Sequence, residues 1–323
     1  MLKRRQFVEA VSGSVLAVTC GGAIAQSRKM PRVGILLFNS PSSEPLGPLL
    51  DGLKEAGYVV DRTLAVDYRY AEGRQERLPA LAVELVQLNP DVIFLVGGDV
   101  APYAKAATTT IPIVVVVSND PVKAGLVANI GRPGGNVTGI TLIYDELAGK
   151  TLGFLKEAAP SMTRVAVLWN PEHADPEFQE TKRAADLLKV RLQSLEVRRP
   201  EDFVAAFKAA LAERAEGLVI VSSRLMSRER PRIIEFAAKN QILIAGGWGE
   251  WTRDGALLTY GPNTVELMQR AAVFITKIIK GARPADLPME RPTRFELVIN
   301  LNTARTFGLT LPPNLLARAD RVV

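Results

Sequence analysis

The sequence predicts an α/β chain of two similar lobes, each built on a parallel sheet. Three observations carry that reading. Ile113 to Val117 reads IVVVV, all β-branched, which suits a strand buried on both faces beneath helices. Short apolar runs of this kind alternate with longer stretches of helical period, the pattern of βαβ units. Finally, Arg164-Val165-Ala166-Val167-Leu168-Trp169-Asn170 echoes Arg32-Val33-Gly34-Ile35-Leu36-Leu37-Phe38-Asn39, with a proline soon after each. A second lobe built like the first explains the echo, although any buried strand of an α/β protein reads alike.

At 323 residues, 47% hydrophobic and 23% charged, the chain has the length and composition of a two-domain globular protein. It opens with a leader over residues 1–25. Lys3-Arg4-Arg5-Gln6-Phe7 forms a positive start, Val8 to Ala17 is weakly apolar, and Ala23-Ile24-Ala25 is a small-x-small cleavage site. The apolar stretch is too short and too rich in Ser and Gly to span a membrane. Arg4-Arg5 before Gln6-Phe7 has the form of a twin-arginine export signal, with a general secretory signal as the alternative. Of the net charge of +6, two belong to this leader, leaving a mild +4 with no basic block interleaved with aromatics, so nucleic acid is not an expected partner. The only cysteine, Cys20, lies in the leader, where lipidation competes with cleavage after Ala25. The mature chain then holds no disulfide, thiolate nucleophile or cysteine metal site.

In order, Arg32 to Phe38 is the first strand, broken by Asn39-Ser40-Pro41. Leu46, Leu49, Leu50 and Leu53 follow helical spacing, and Gly57 stops that helix. Leu64 to Tyr70 is the second strand, and Leu78, Leu81, Ala82 and Leu85 mark the next helix. A third strand, Asp91 to Val96, ends at Gly97-Gly98-Asp99; a helix from Val100 to Ala107 leads to the fourth, which ends at Ser118-Asn119-Asp120-Pro121. Right-handed crossovers place these polar strand ends on one edge of the sheet, where open parallel sheets bind ligands. Gly131 to Gly139, GRPGGNVTG, reads as a turn-rich connector at the lobe boundary.

The second lobe begins with a helix from Asp145 to Ala159 and the strand Arg164 to Asn170, then a helix near Asp175 to Leu188 and a strand Arg191 to Val197. A helix from Glu201 to Arg214 sets Phe203, Ala206, Phe207 and Ala210 on one face. Gly217 to Val221 is a strand ending at Ser222-Ser223-Arg224, one helix runs to Asn240, and Ile242 to Ala245 ends at Gly246-Gly247-Trp248. Ala256 to Tyr260 is a further strand, and Asn263 caps a helix with Ala271, Phe274, Ile275 and Ile278 on one face. Extended Leu287 to Pro292, the strand Phe295 to Asn300 and a short helix Thr303 to Phe307 follow, in a segment expected to cross between lobes more than once.

Metal and nucleophilic chemistry find little support. His173, the one histidine, sits in a polar loop between Pro171 and Pro176 and reads as a solvated surface residue; no Gly-x-Ser-x-Gly elbow presents a serine. Gly97-Gly98 and Gly134-Gly135 match neither the Walker nor the dinucleotide pattern, and no cofactor is expected. The strand ends instead offer groups that hold a small molecule. Asn39 and Ser40 precede a helix whose free N–H groups favour an anion. Asp99 and Asp120 suit an ammonium unless they cap helices; Ser118, Asn119 and Ser222 exchange hydrogen bonds; Trp169, Trp248 and Tyr260 offer flat apolar faces.

Beyond these patterns, the opening Lys3-Arg4-Arg5-Gln6-Phe7 and the blocks LKEAGY (Leu53 to Tyr58), YAEGR (Tyr70 to Arg74), RLPALA (Arg77 to Ala82) and AATTTIPIV (Ala106 to Val114) form a family signature. It continues through DPVKAGLV (Asp120 to Val127), RPGGNVTG (Arg132 to Gly139), FELVINLNTAR (Phe295 to Arg305) and LPPNLLARAD (Leu311 to Asp320). Over nearly its whole length the chain resembles the TrpX/TrpY-like substrate-binding proteins of ABC transporters. The resemblance implies two Rossmann-like lobes of the type I periplasmic binding fold, joined by crossing hinge strands and closing on a solute delivered to a membrane permease. In relatives the solute is an aromatic amino acid; the positions matching their contact loops are Asn39-Ser40, Gly98-Asp99, Ser118-Asn119-Asp120 and Ser222-Ser223. Where relatives often carry Val-Asn-Pro, this chain has Trp169-Asn170-Pro171, a bulkier edge expected to narrow the cleft.

The expected protein is therefore a periplasmic, monomeric solute-binding component of an ABC importer and not an enzyme. Its first lobe covers residues 26–140, its second 141–260, and a hinge-crossing segment 261–323 completes both. Two alternatives stand: a secreted enzyme using Asp99, Asp120 and Glu250 as acid and base, and a ligand sensor serving a membrane receptor.

Overall fold

The computed structural model describes residues 30–41, 46–142, 147–172 and 177–323. The leader with Cys20, and His173, lie outside them. Pro31 to Val323 forms one compact unit, within which the strands fall into two sheets.

The first sheet contains β1 (Arg32–Leu37), β2 (Ala65–Tyr70), β3 (Val92–Val96), β4 (Ile113–Val117) and β5 (Val137–Thr141), all parallel, in the order β2-β1-β3-β4-β5. Its helices are α1 (Gly47–Glu55), α2 (Leu78–Gln87) and α3 (Ala101–Ala107). All five residues of β4 are buried, as its unbroken β-branched run requires. The glycine-dense stretch before residue 140 is not turn throughout. Val137 to Gly139 belong to β5, paired with Ile113 to Val115, so three connector residues are core strand.

The second sheet repeats the plan. After α4 (Leu147–Ala158) come β6 (Arg164–Trp169), α5 (Glu177–Leu188), β7 (Arg191–Glu196), α6 (Asp202–Ala212) and β8 (Gly217–Ile220). Two helices, α7 (Arg224–Arg228) and α8 (Arg230–Lys239), precede β9 (Leu243–Gly246); α9 (Glu250–Asp254) and β10 (Leu258–Pro262) follow. The order β7-β6-β8-β9-β10 matches that of the first sheet strand for strand, and all four pairings are parallel. The echo between Arg32 and Arg164 is thus a true repeat, extending to how each first strand starts. The N–H of Arg32 donates to Asp91 (2.7 Å), just before β3, and that of Arg164 donates to Glu216 (2.9 Å), just before β8. The single helix expected up to Asn240 is instead two, parting at Glu229 because Pro231 lacks an N–H and suits only a helix's first turn.

The last segment serves both sheets. α10 (Thr264–Ile279), capped by Asn263 accepting the Glu266 N–H at 3.0 Å, buries Leu267, Ala271, Phe274 and Ile275 with Leu49 and Leu53 of α1 in the first lobe's core. Each such leucine, isoleucine or phenylalanine removed from water contributes about 1.5–3 kcal/mol. The chain then runs beside β5, where Glu290 N–H donates to Gly139 and Thr141 N–H donates to Glu290, before β11 (Phe295–Ile299) returns to pair antiparallel with β10. Two short helices, α11 (Leu301–Thr306) and α12 (Pro313–Ala317), and β12 (Arg321–Val322) on β11 close the chain. Apolar cores fill both faces of each sheet.

Candidate functional site

The polar segments after the parallel strands meet across the space between the sheets, and one side chain spans it. Arg224, the first residue of α7, donates from Nε to both Asp99 oxygens (3.0 and 2.8 Å) and from Nη2 to the Val96 carbonyl at the end of β3. Its Cζ lies 4.9 Å from the centre of the Phe38 ring, just past β1. Gly97 makes room for it: with φ at +111° and no side chain, its backbone lies where any Cβ would overlap the guanidinium. A second-lobe cation is thus held by the ends of two first-lobe strands. Sequence reading passed over Arg224, whose only local signal is its place directly after the strand-end pair Ser222-Ser223.

On the second-lobe side, a cavity of about 20 Å³ lies at the ends of β8, β9 and β10, roofed by α4 and α5. That is room for about one water molecule. Glu177, Thr181, Ser222, Gly247, Trp248 and Tyr260 are among its lining residues. Glu177 opens α5, and the N–H of Ser222 donates to its Oε2 at 3.1 Å. Among the described residues it is the one ionisable side chain in the buried class. It too was missed, because a lone Glu after a proline-bounded loop looks like any solvated helix start. Trp248 packs against apolar side chains of both lobes' cores, as does Tyr260, which also meets Phe154 edge-on at 5.0 Å.

Other expected positions are taken up locally. Asp120 Oδ1 accepts the N–H groups of Val122 (2.9 Å) and Lys123 (3.2 Å), so its carboxylate closes its own turn. Asn170 does the same with Glu172 at 2.9 Å, and Ser223 caps α7 by accepting the Met226 N–H at 3.3 Å. One face of the Trp169 ring is stacked on Phe178 at 4.1 Å, 2° from parallel, and its Nε1 donates to Ser194 on β7 at 2.8 Å. Asn119 lies against Gly98, and among the described residues nothing donates to its buried Oδ1. Asn39, Ser40 and Ser118 sit half-buried at the first-lobe strand ends, each engaged by a neighbour.

A larger groove of about 400 Å³ lies at the hinge between the start of α10 and residues Glu290 to Arg294. Arg270 and Glu290 form a fork there with bonds of 2.6–2.9 Å, and the Glu290 carboxylate holds the guanidinium's pKa above its ordinary value. Among the described residues no cluster of His, Cys, Asp or Glu is arranged to hold a metal ion, and no helix is long and apolar enough to cross a membrane.

Comparison with known proteins gives the arrangement its context. Residues 40–323 match the family model described as ABC transporter substrate binding protein. The tyrosine-binding protein of Clostridioides difficile is 24% identical over 288 residues, covering 88% of this chain and 82% of that one. Among solved structures, an ABC domain from Streptococcus pneumoniae in complex with L-Trp superposes with a TM-score of 0.83 at 23% identity, covering 91% of this chain and all of that one. A conserved domain protein from Vibrio cholerae gives a TM-score of 0.83 at 27% identity, with the same coverage.

Proposed function

The chain belongs to the ABC transporter substrate-binding protein family, and we propose that it captures an α-amino acid with an aromatic side chain between its lobes and passes it unchanged to a permease. The observation that carries this reading is Glu177, a buried carboxylate in a cavity walled by Trp248 and Tyr260. Ser222 N–H is among the groups that engage this carboxylate, and a solute ammonium would add charge-assisted hydrogen bonds to it. The two aromatic rings suit an aromatic side chain, and the polar ends of β1 and β4, at Ser40 and Ser118, suit the carboxylate. Asp120 is the weaker ammonium partner, because its Oδ1 already accepts two N–H groups of its own turn. The L-Trp-bound and tyrosine-binding relatives support the same solute class. The cavity has room for about one water molecule, so an aromatic amino acid enters only if its walls rearrange, as opening of the lobes would allow. The protein acts in the periplasm as a monomer, exported by its twin-arginine-like leader.

Thermal unfolding and calorimetry with L-Trp, L-Tyr and L-Phe, each beside analogues lacking the amine or the carboxylate, test this. At about 100 times Kd a one-site solute adds roughly 2.7 kcal/mol of stability, a visible rise in Tm. Stabilisation by an intact aromatic amino acid, recovered unchanged, is the expected outcome. Equal response to an amine-free analogue would remove the role of Glu177, and recovery of an altered compound would replace the transport reading with an enzymatic one.

A further inference from the structure

The contacts of Arg224 amount to a built receptor. Four groups of the first lobe converge on its guanidinium: the Asp99 carboxylate, the Val96 carbonyl, the Phe38 ring and the bare backbone of Gly97. They come from the ends of two neighbouring strands, β1 and β3, while Arg224 opens α7 of the second lobe, 125 residues from Asp99. The arginine side chain is 22% exposed and that of Asp99 39%, so the pair is partly withdrawn from water. An exposed ion pair is worth little, but a guanidinium with a carboxylate, a carbonyl and a ring on one side is fixed by several charge-assisted contacts at once.

We infer that this socket is a latch between the lobes: Arg224 holds them closed in the absence of solute and thereby sets how tightly solute binds. All of these contacts are between protein groups, so they favour closure whether or not the cleft is occupied. A solute that binds the closed form then meets a protein already populating that form, and its apparent affinity rises accordingly. Arg224 and Asp99 are positioning residues in this scheme and act through the lobe equilibrium.

The test is small-angle scattering of the purified, solute-free protein at low and high salt. Wild type is expected to be compact at low salt and to expand at high salt, because the partly exposed pair is screened. R224A and D99N are expected to be expanded at both salt concentrations, with R224K intermediate because an ammonium keeps the charge but loses the fork. Unchanged circular dichroism would confirm that the variants fold, and D99N, nearly isosteric, serves should R224A fail to. Affinity for whichever solute binds wild type should fall roughly tenfold in R224A. Scattering curves of R224A and D99N that superimpose on wild type, or a wild type that is indifferent to salt, would overturn the latch. Because the scattering needs no solute, the amino-acid reading can fail while the latch stands, and the reverse.

Discussion

The side-chain amide of Asn119 lies directly on the backbone of Gly98, so that a Cβ at position 98 would overlap it. The loops after β3 and β4 therefore touch because one of them carries no side chain. Gly98→Ala should push Asn119 off this seat and cost about 1–3 kcal/mol, as overpacking does. Urea unfolding would measure it, and the pair G98A/N119A should recover most of the loss. An unchanged midpoint for G98A alone would mean that Asn119 yields freely.

Glu177 gives the sharpest test of the solute site. Glu177→Gln keeps the shape and an oxygen for the Ser222 N–H but removes the charge, so affinity for an aromatic amino acid should fall at least tenfold, as expected for a lost charge-assisted bond of about 1.5–3 kcal/mol. Calorimetry should show little change for a solute that has a carboxylate but no amine. Equal losses for both solutes would point to a distorted cavity.

Trp169 and Asp120 should matter for stability and hardly at all for binding. Trp169→Ala removes a stacked ring and its hydrogen bond to Ser194, costing about 2–3 kcal/mol at this half-buried position. Asp120→Ala unties a turn at about 1 kcal/mol. A tenfold loss of solute affinity in either variant would return that residue to the site.

Glu216 supplies a pH prediction away from the cleft. Burial, the largest single influence on its carboxyl, raises the pKa; the N–H groups of Thr163 and Arg164 with the Arg164 guanidinium together outweigh it, so the folded value lies below the ordinary 4.5. The ionised form is thus favoured by folding, and its stabilisation is complete above about pH 4.5 and fades as pH falls through the lowered value. Wild type should melt higher than Glu216→Gln at neutral pH, and the two should converge on acidification. A gap in Tm that stays constant into acid would contradict this. Solute binding should not change, since Glu216 lies at the opposite ends of the strands from the cleft.

Much of the architecture is legible in the sequence. The β-branched run Ile113 to Val117 suits a buried strand and forms one, and the Arg32/Arg164 echo is matched by a shared strand order. β5 was harder, because Gly139 and its glycine-rich approach carry the signature of a turn while the pairing with Val115 is long-range. Of the residues that line the cavity, Ser222, Trp248 and Tyr260 stand at strand ends that the sequence pattern marks, whereas Glu177 there and Arg224 beside it carry no local mark.

By itself the sequence determined where most of the strands lie, and hence that polar groups gather on one edge of each sheet, because side-chain periodicity and turn chemistry act between near neighbours in the chain. Only the tertiary structure decided which of those groups are spent at home and which reach across. Asp120 and Asp99 follow strands in much the same way, yet one bonds its own next two N–H groups and the other grips an arginine 125 residues away. That choice depends on what the second sheet sets opposite each loop, a relation between distant segments that no local pattern encodes.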